Sequence, residues 1–168
     1  MIPATFDYWR AGSLDEALSL LSEHGDEAKV LAGGHSLLPL MKLRLATPSV
    51  LVDIGRLDDL AYVRAEEGEL RIGALTTHHQ LATDPLVRDH VPVMSHVAGQ
   101  IGDPQVRHRG TIGGSIAHGD AASDLPAVVL ALGGRLVATS AKGDREIDSG
   151  AFHRGFLETA LEPEEVLT

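Results

Sequence analysis

Apolar residues near the start of the chain recur with the period of an α-helix. Between residues 14 and 21 they stand three or four positions apart, which places them on one face of a helix. Ser13 and Glu16 have the spacing of a capping box, and Gly25 suits the position that follows the last helical turn. The pattern therefore predicts a helix that begins after Ser13 and ends at Gly25.

The next apolar runs are short and have the length of β-strands. Residues 28–31 form one such run, which leads directly into a pair of glycines, and a turn or helix is predicted over 37–44. Residues 50–54 are rich in valine and isoleucine and end at Gly55, which predicts a second strand. We expect residues 1–57 to form a small α/β lobe.

The pattern changes after residue 61. Residues 62–65 and 70–74 predict a β-hairpin around an acidic turn. Thr76 is a candidate N-cap for a short helix. Residues 86–101 predict one or two helices, with Pro92 at the beginning of the second, because proline is tolerated in the first helical turn.

The last third of the chain contains a long segment without clear periodicity. Residues 102–123 are dense in glycine, histidine and aspartate and predict an irregular segment, which in a compact domain usually has a function. Asp124 is the predicted N-cap of an apolar helix that reaches Leu132. Residues 135–139 and 145–148 predict two late strands.

Length and element order favour one domain with two lobes. The elements divide into the small lobe at 1–57 and a larger α+β lobe at 58–168, and a chain of 168 residues suits such a domain. Residues 161–168 predict a turn and the first residues of a strand. We therefore interpret the sequence as a truncated chain or a fragment.

Composition excludes several classes of function. The sequence has no cysteine, so it cannot carry disulfides, cysteine-bound zinc or an iron–sulfur cluster. A net charge of −10 disfavours nucleic acids and anionic membranes as partners. The longest apolar run, residues 127–132, is too short to span a bilayer, and the start lacks the layout of a signal peptide. We expect a cytoplasmic protein with no transmembrane segment.

Two glycine-rich segments are the strongest candidates for a binding site. Residues 32–36 (AGGHS) and 111–115 (TIGGS) each combine two glycines with a small hydroxyl residue. Glycine lets backbone N–H groups approach an anion closely, and successive N–H groups form an anion-binding nest. Either segment alone would suit a simple turn. Together they predict that one diphosphate is held from two sides.

No pattern in the sequence indicates a catalytic or metal-binding residue. His78 and His79 are adjacent and point to different sides of a helix, whereas helical metal ligands stand three or four residues apart. We expect both to be surface histidines. Asp103, His108 and Asp120 are interpreted as polar residues of the glycine-rich segment. The sequence also lacks a nucleophile elbow, a Walker loop and a Rossmann fingerprint.

The glycine-rich segments and their surroundings resemble a known family. Residues 32–39 (AGGHSLLP) resemble the first flavin signature of the FAD-binding medium subunits of molybdenum hydroxylases. Residues 109–117 (RGTIGGSIA) resemble the second signature, and 118–126 (HGDAASDLP) continue it. The resemblance is greatest to the medium subunit of aerobic carbon monoxide dehydrogenase, and the xanthine dehydrogenase FAD domain is a more distant relative. It implies a two-lobed α+β domain of the vanillyl-alcohol-oxidase (PCMH) type, with FAD between the lobes.

The chain departs from the family pattern in two ways. Family subunits continue into a separate C-terminal α+β domain, which this sequence lacks. Ala121 also stands where many members have proline.

The resemblance implies that FAD is bound without a covalent link, so that His35 positions its loop or contacts phosphate. Lys29 and Leu31 would flank the adenosine end, Asp124 would bind its ribose, and Ile101 would contact the flavin. The complete set of expected FAD contacts is Lys29, Leu31, Ala32, Gly33, Gly34, His35, Ser36, Leu37, Ile101, Gly102, Val106, Gly110, Thr111, Gly113, Gly114, Ser115, Ser123, Asp124 and Leu167.

The resemblance also implies a role in electron transfer. A partner subunit with the molybdenum cofactor would oxidise the substrate, and a second partner with [2Fe–2S] clusters would pass the electrons to FAD on this chain. FAD would deliver them to an external acceptor, and the three subunits would form a heterotrimer that dimerises. Two alternatives remain open, namely a truncated non-catalytic module and a stand-alone flavin oxidoreductase.

Overall fold

A computed structural model describes residues 2–168, which form short helices and strands in alternation. The strands are β1 (Asp7–Arg10), β2 (Ala28–Leu31), β3 (Val50–Asp53), β4 (Val63–Glu66), β5 (Glu69–Ile72), β6 (Arg135–Ser140), β7 (Gly143–Asp148), β8 (His153–Gly155), β9 (Glu158–Thr159) and β10 (Val166–Leu167). The helices are α1 (Leu14–His24), α2 (Leu37–Lys42), α3 (His78–Thr83), α4 (Pro85–His90), α5 (Pro92–Gln100), α6 (Pro104–Arg107), α7 (Ile112–Ala117), α8 (Asp124–Ala131) and α9 (Ser149–Phe152).

The N-terminal part is a parallel sheet covered by α1. Its strand order is β1-β3-β2, and α1 packs against β2 and β3. The predicted cap is confirmed in part, because the Ser13 hydroxyl accepts the N–H of Glu16 at 3.1 Å. The Glu16 carboxylate accepts from Gly12 and not from Ser13, so the reciprocal bond lies one residue earlier than in a capping box.

The C-terminal part surrounds a second, antiparallel sheet with the order β10-β6-β7. The β4–β5 hairpin and helices α3, α5, α7 and α8 contribute to the same core. Two hydrophobic clusters result, one in each part of the molecule. Residues that are adjacent in sequence belong to different clusters. Leu75 and Val166 belong to the cluster of the N-terminal part, whereas Ala74 and Leu167 belong to the cluster of the C-terminal part. The division of the chain at residues 57 and 58 stays a prediction.

The predicted hairpin and the helix that begins at Pro92 are confirmed. The predicted N-cap at Thr76 is wrong by one residue. Thr77 caps α3 together with Gln80 in a complete capping box. Thr76 is buried instead, and its hydroxyl donates to the carbonyl of Tyr62 at 2.9 Å.

The prediction of an irregular segment over 102–123 is wrong, because the segment contains α6 and α7. The Asp103 carboxylate caps α6, and the Thr111 hydroxyl caps α7 by accepting the N–H of Gly114. Helices of four and six residues show too few turns for a hydrophobic period to be visible in the sequence. The next helix, α8, begins one residue earlier than predicted, with Ser123 as its N-cap and Asp124 as its first residue.

Within residues 2–168 no helix combines the length and the hydropathy needed to cross a membrane.

Candidate functional site

A cleft of about 490 Å³ brings together residues from both hydrophobic clusters and both glycine segments. Most of the predicted FAD contacts line it. These are Lys29, Leu31, Ala32, Gly33, Gly34, His35, Ser36, Leu37, Ile101, Val106, Gly110, Thr111, Gly113, Gly114, Ser115, Ser123 and Leu167. Gly102 and Asp124 do not line the cleft. Gly102 packs against Val106, and Asp124 is exposed at the start of α8.

The first glycine segment follows β2 and carries free backbone donors. No acceptor within residues 2–168 takes up the N–H groups of residues 33–36. Gly34 has a φ of +80°, which a residue with a side chain rarely adopts. The Ser36 hydroxyl does not accept a capping bond from α2, and a serine hydroxyl can also donate to an anion. Consecutive free N–H groups of this kind suit an anion such as a diphosphate.

The second glycine segment, unlike the first, has no row of free backbone donors. The N–H groups of residues 112–115 all donate within the protein, to the carbonyls of Thr76 and Ala74, and to the hydroxyl and carbonyl of Thr111. The distances lie between 2.8 and 3.2 Å. The idea that both segments are anion nests is therefore wrong for the second one. Its donors build the start of α7 and fix it to the chain before α3.

Glycines of the second segment instead allow close packing. A Cβ atom at Gly113 would lie 2.5 Å from the Cβ of Ala74, so a side chain cannot be placed there. A Cβ atom at Gly114 would meet only the Thr111 hydroxyl closely, and then Ala32 at 4.0 Å. Gly114 thus faces the first glycine segment across the cleft.

The first segment also packs against the chain just before the second segment. A Cβ atom at Gly33 would lie 2.0 Å from the carbonyl oxygen of Arg109, a distance that no side chain tolerates. Gly33 is therefore required by the contact between two parts of the chain that lie far apart in sequence.

Burial contradicts the prediction that His78 is a surface residue. Its side chain is 5% exposed, and it lines the cleft. The pKa of His78 is lowered to about 4, first by burial and second by the charge of His35. His79 is partly exposed and stacks on the ring of His108, with centroids 4.0 Å apart. Among residues 2–168 no cluster of histidine and acidic residues could hold a metal ion.

Residues 159–167 form a third wall of the cleft, of which the sequence analysis named only Leu167. Glu162 and Pro163 are among the further lining residues. The guanidinium of Arg145 holds this segment in place by donating to both oxygens of Glu165 at 2.6 and 2.7 Å. Arg145 also donates to the carbonyl of Ala160 at 2.7 Å. The hydrogen bond from Arg145 is the main reason why the pKa of Glu165 is lowered.

Comparison with known proteins gives the family. A sequence model described as the FAD-binding domain in molybdopterin dehydrogenase matches residues 4–168. The chain belongs to this family. The resemblance inferred from the two glycine signatures and the assignment of FAD as cofactor are thereby confirmed, and the free donors and open space of the cleft fit that cofactor.

Individual relatives agree with this membership. The chain is 48% identical to the alpha subunit of the 6-hydroxypseudooxynicotine dehydrogenase complex of Paenarthrobacter nicotinovorans, over 88% of this chain and 50% of the relative. It is 44% identical to the carbon monoxide dehydrogenase medium chain of Hydrogenophaga pseudoflava, over 99% of this chain and 58% of the relative.

The predicted fold class is also confirmed. The reconstituted CO dehydrogenase from Oligotropha carboxidovorans matches the structure with a TM-score of 0.98 at 43% identity. That match covers 100% of this chain and 59% of the solved one. The chain thus spans between half and three fifths of the length of these relatives.

Proposed function

We propose that this chain is the FAD-binding part of the electron-transfer subunit of a molybdenum hydroxylase. The proposal rests chiefly on the row of free N–H groups at residues 33–36. These residues line the same cleft as Gly114, and the chain belongs to an FAD-binding family. The subunit would work in a heterotrimer with a molybdenum-cofactor subunit and a [2Fe–2S] subunit. Relatives described as medium chains and complex subunits support this assembly.

Each wall of the cleft would have a separate task in binding FAD. The N–H groups of residues 33–36 and the Ser36 hydroxyl would bind the diphosphate, which is an anion. Gly114 would leave room for it, and Ile101 and Val106 would supply apolar contacts. Lys29 on β2 would lie towards the adenosine end. Asp124 is exposed and outside the cleft, so its contact with the ribose has no support from the geometry.

Electron transfer needs no acid or base from this chain. Bound FAD supplies redox chemistry that can take electrons one at a time from [2Fe–2S] clusters and deliver pairs to an acceptor. The protein sets the orientation of the cofactor and its exposure to partners. These 168 residues contain no cysteine, so they would not bind the clusters themselves.

The substitution Gly114→Asp tests the assigned cleft. A carboxylate at this position would face the first glycine segment, and its repulsion of the diphosphate would reduce FAD binding at least a hundredfold. The measurement is the flavin absorbance that heat releases per chain from purified protein. Gly150→Asp is the matched control, since residue 150 is exposed in α9 with only one side-chain atom near its Cβ position, at 3.9 Å.

Four outcomes are distinguishable. Near one FAD per chain in the unmodified protein and in Gly150→Asp, with little in Gly114→Asp, supports the proposal. Full flavin content in Gly114→Asp contradicts the assigned cleft. A colourless protein that cannot be reconstituted with FAD would favour the non-catalytic module. Turnover of an organic substrate without partner subunits would favour the stand-alone oxidoreductase.

The role in electron transfer needs its own experiment. The protein is mixed with the molybdenum and [2Fe–2S] subunits, and the flavin absorbance is followed after substrate is added under anaerobic conditions. Bleaching that requires both partners supports the proposal. Flavin that stays oxidised in the complete, substrate-reduced assembly would contradict it.

A further inference from the structure

His118 lines the cleft but is not among the FAD contacts expected from the sequence. Its side chain is half-buried, and no atom within residues 2–168 hydrogen-bonds either of its ring nitrogens. Neither nitrogen is enclosed by protein, because the enclosed side-chain atoms without a partner in this part of the chain belong to His78 and His153. The imidazole of His118 is therefore open to a hydrogen-bond partner from outside the protein.

Helix α7 turns His118 towards the cleft. His118 directly follows the helix, keeps helical dihedral angles (φ −65°, ψ −27°) and donates its backbone N–H to the carbonyl of Gly114 at 3.1 Å. Residues three or four positions apart share one face of a helix, so His118 shares a face with Gly114 and Ser115, which line the cleft. Ile112 and Ile116 lie on the opposite face and are buried in the core. The side chain of His118 thus leaves the helix on the side that faces the first glycine segment.

The direction of this side chain leaves room for a ligand. In a helix the Cα–Cβ bond leans towards the N-terminus, which for His118 is the direction of Gly114. No atom of His118 lies within 4 Å of the position that a Cβ atom at Gly114 would take. A gap therefore separates the imidazole from Gly114, next to the place where the diphosphate of FAD is proposed to lie.

The second side of the cleft has few other donors for an anion. The N–H groups of residues 112–115 donate within the protein, and the hydroxyls of Ser115 and Ser123 bond to each other at 2.6 Å. Within residues 2–168, Lys29 is the only lysine or arginine that lines the cleft, and it lies on β2 at the first side. A neutral imidazole has one N–H donor and a protonated one has two. His118 can therefore donate to a phosphate oxygen in either state.

We propose that His118 is a further FAD-binding residue, whose ring N–H donates to an oxygen of the diphosphate held between the two glycine segments. The proposal rests on FAD binding in this cleft. The first segment would bind the diphosphate through its backbone. The second side would bind it through a side chain that stands one helical turn after Gly114.

Three variants test this assignment through the affinity for FAD. His118→Leu keeps a similar volume and removes both ring nitrogens, and His118→Gln keeps an N–H donor on a side chain of similar length. His96→Leu is the matched control, because His96 is exposed on α5 and does not line the cleft. Apoprotein is titrated with FAD, and the dissociation constant is read from the quenching of flavin fluorescence.

We expect His118→Leu to weaken FAD binding about tenfold, with most of the affinity restored in His118→Gln. The affinity of His96→Leu should equal that of the unmodified protein. A purely structural role of His118 would not predict rescue by glutamine. Equal affinities of His118→Leu and the unmodified protein would overturn the inference while leaving the proposed function intact.

ADP shows which part of the cofactor His118 contacts, because it carries a diphosphate and no flavin. Its dissociation constant is obtained from the ADP concentration that displaces FAD in the same titration. His118→Leu should weaken the binding of ADP by the same factor as the binding of FAD. An unchanged affinity for ADP would contradict a contact with the diphosphate.

A direct observation covers the case in which His118→Leu does not fold. In unmodified protein labelled with ¹⁵N-histidine, the ring resonances of His118 should shift when FAD is added, and those of His96 should not. Unchanged resonances of His118 at saturating FAD would overturn the inference. If the unmodified protein binds no FAD at all, the proposed function fails as well.

Discussion

At the scale of single residues, the glycines around the cleft serve different purposes. Gly34 supplies a positive φ in the first segment, and Gly33 allows its backbone to touch the carbonyl of Arg109. Gly110 admits the imidazole of His78, and Gly114 leaves space between the segments. Among the glycines of the cleft, those of the first segment and Gly114 are therefore the ones expected to face FAD directly.

The contact at Gly33 can be tested by Gly33→Ala. A methyl group 2.0 Å from the Arg109 oxygen must push the first segment and Arg109 apart, and overpacking of this kind costs about 2–3 kcal/mol of folding free energy. Urea unfolding measures the loss. Gly150→Ala, at an open helical position, should not lower stability and should raise it by up to about 1 kcal/mol. Equal stability of Gly33→Ala and the unmodified protein would show that Gly33 does not pack against Arg109.

His78 should make stability depend on pH. Its folded pKa of about 4 lies below the ordinary value of 6.5, so at intermediate pH only the unfolded chain takes up the proton. The neutral, buried histidine therefore lowers stability by nothing above pH 6.5. As the pH falls towards 4, the free energy of unfolding decreases by up to about 3 kcal/mol. Urea unfolding of FAD-free protein between pH 4 and 7.5 measures this slope. The difference in slope between the unmodified protein and His78→Asn isolates the histidine, and parallel curves would refute its burial as a neutral group.

At the scale of elements, the third wall of the cleft depends on one ion pair. The bond from Arg145 lowers the pKa of Glu165, so the carboxylate stabilises the fold above its ordinary pKa of 4.5 and loses that effect as the pH falls through the lower, folded value. Glu165→Gln should cost about 1 kcal/mol at pH 7 and less below pH 4. Thermal unfolding at both pH values measures it.

A matched control exists next to Glu165. Glu164 bonds to Lys142, whose side chain is 80% exposed, and surface pairs of this kind contribute little. Glu164→Gln should leave the melting temperature at pH 7 nearly unchanged. If both variants melt alike, the bidentate pair does not hold the wall.

Periodicity predicts the longer elements well and the short ones poorly. Helix α1 shows about two turns of apolar spacing in the sequence, and strands β2 and β3 are mostly apolar runs. Helices α6 and α7 have no such pattern, because side-chain caps and contacts with distant residues stabilise them. The sequence of this glycine-rich segment is therefore typical of a loop, although distant residues accept its N–H groups and make it helical.

At the scale of the whole molecule, the sequence identified the cofactor but not how each segment binds it. Two short signatures were sufficient to identify the family, because the residues within each signature are close together in sequence. Whether an N–H group is free depends on residues such as Ala74 and Thr76, which lie more than thirty positions from the second segment. The burial of His78 depends in the same way on Gly110, and no local pattern reveals it.

The division of neighbouring residues between the two hydrophobic clusters has a consequence for assembly. At Ala74 and Leu75, and again at Val166 and Leu167, successive side chains enter different cores. The same short stretches of backbone therefore complete both cores. Neither core can be filled before the chain has returned from the other, so we expect the two parts that line the cleft to assemble as one cooperative unit.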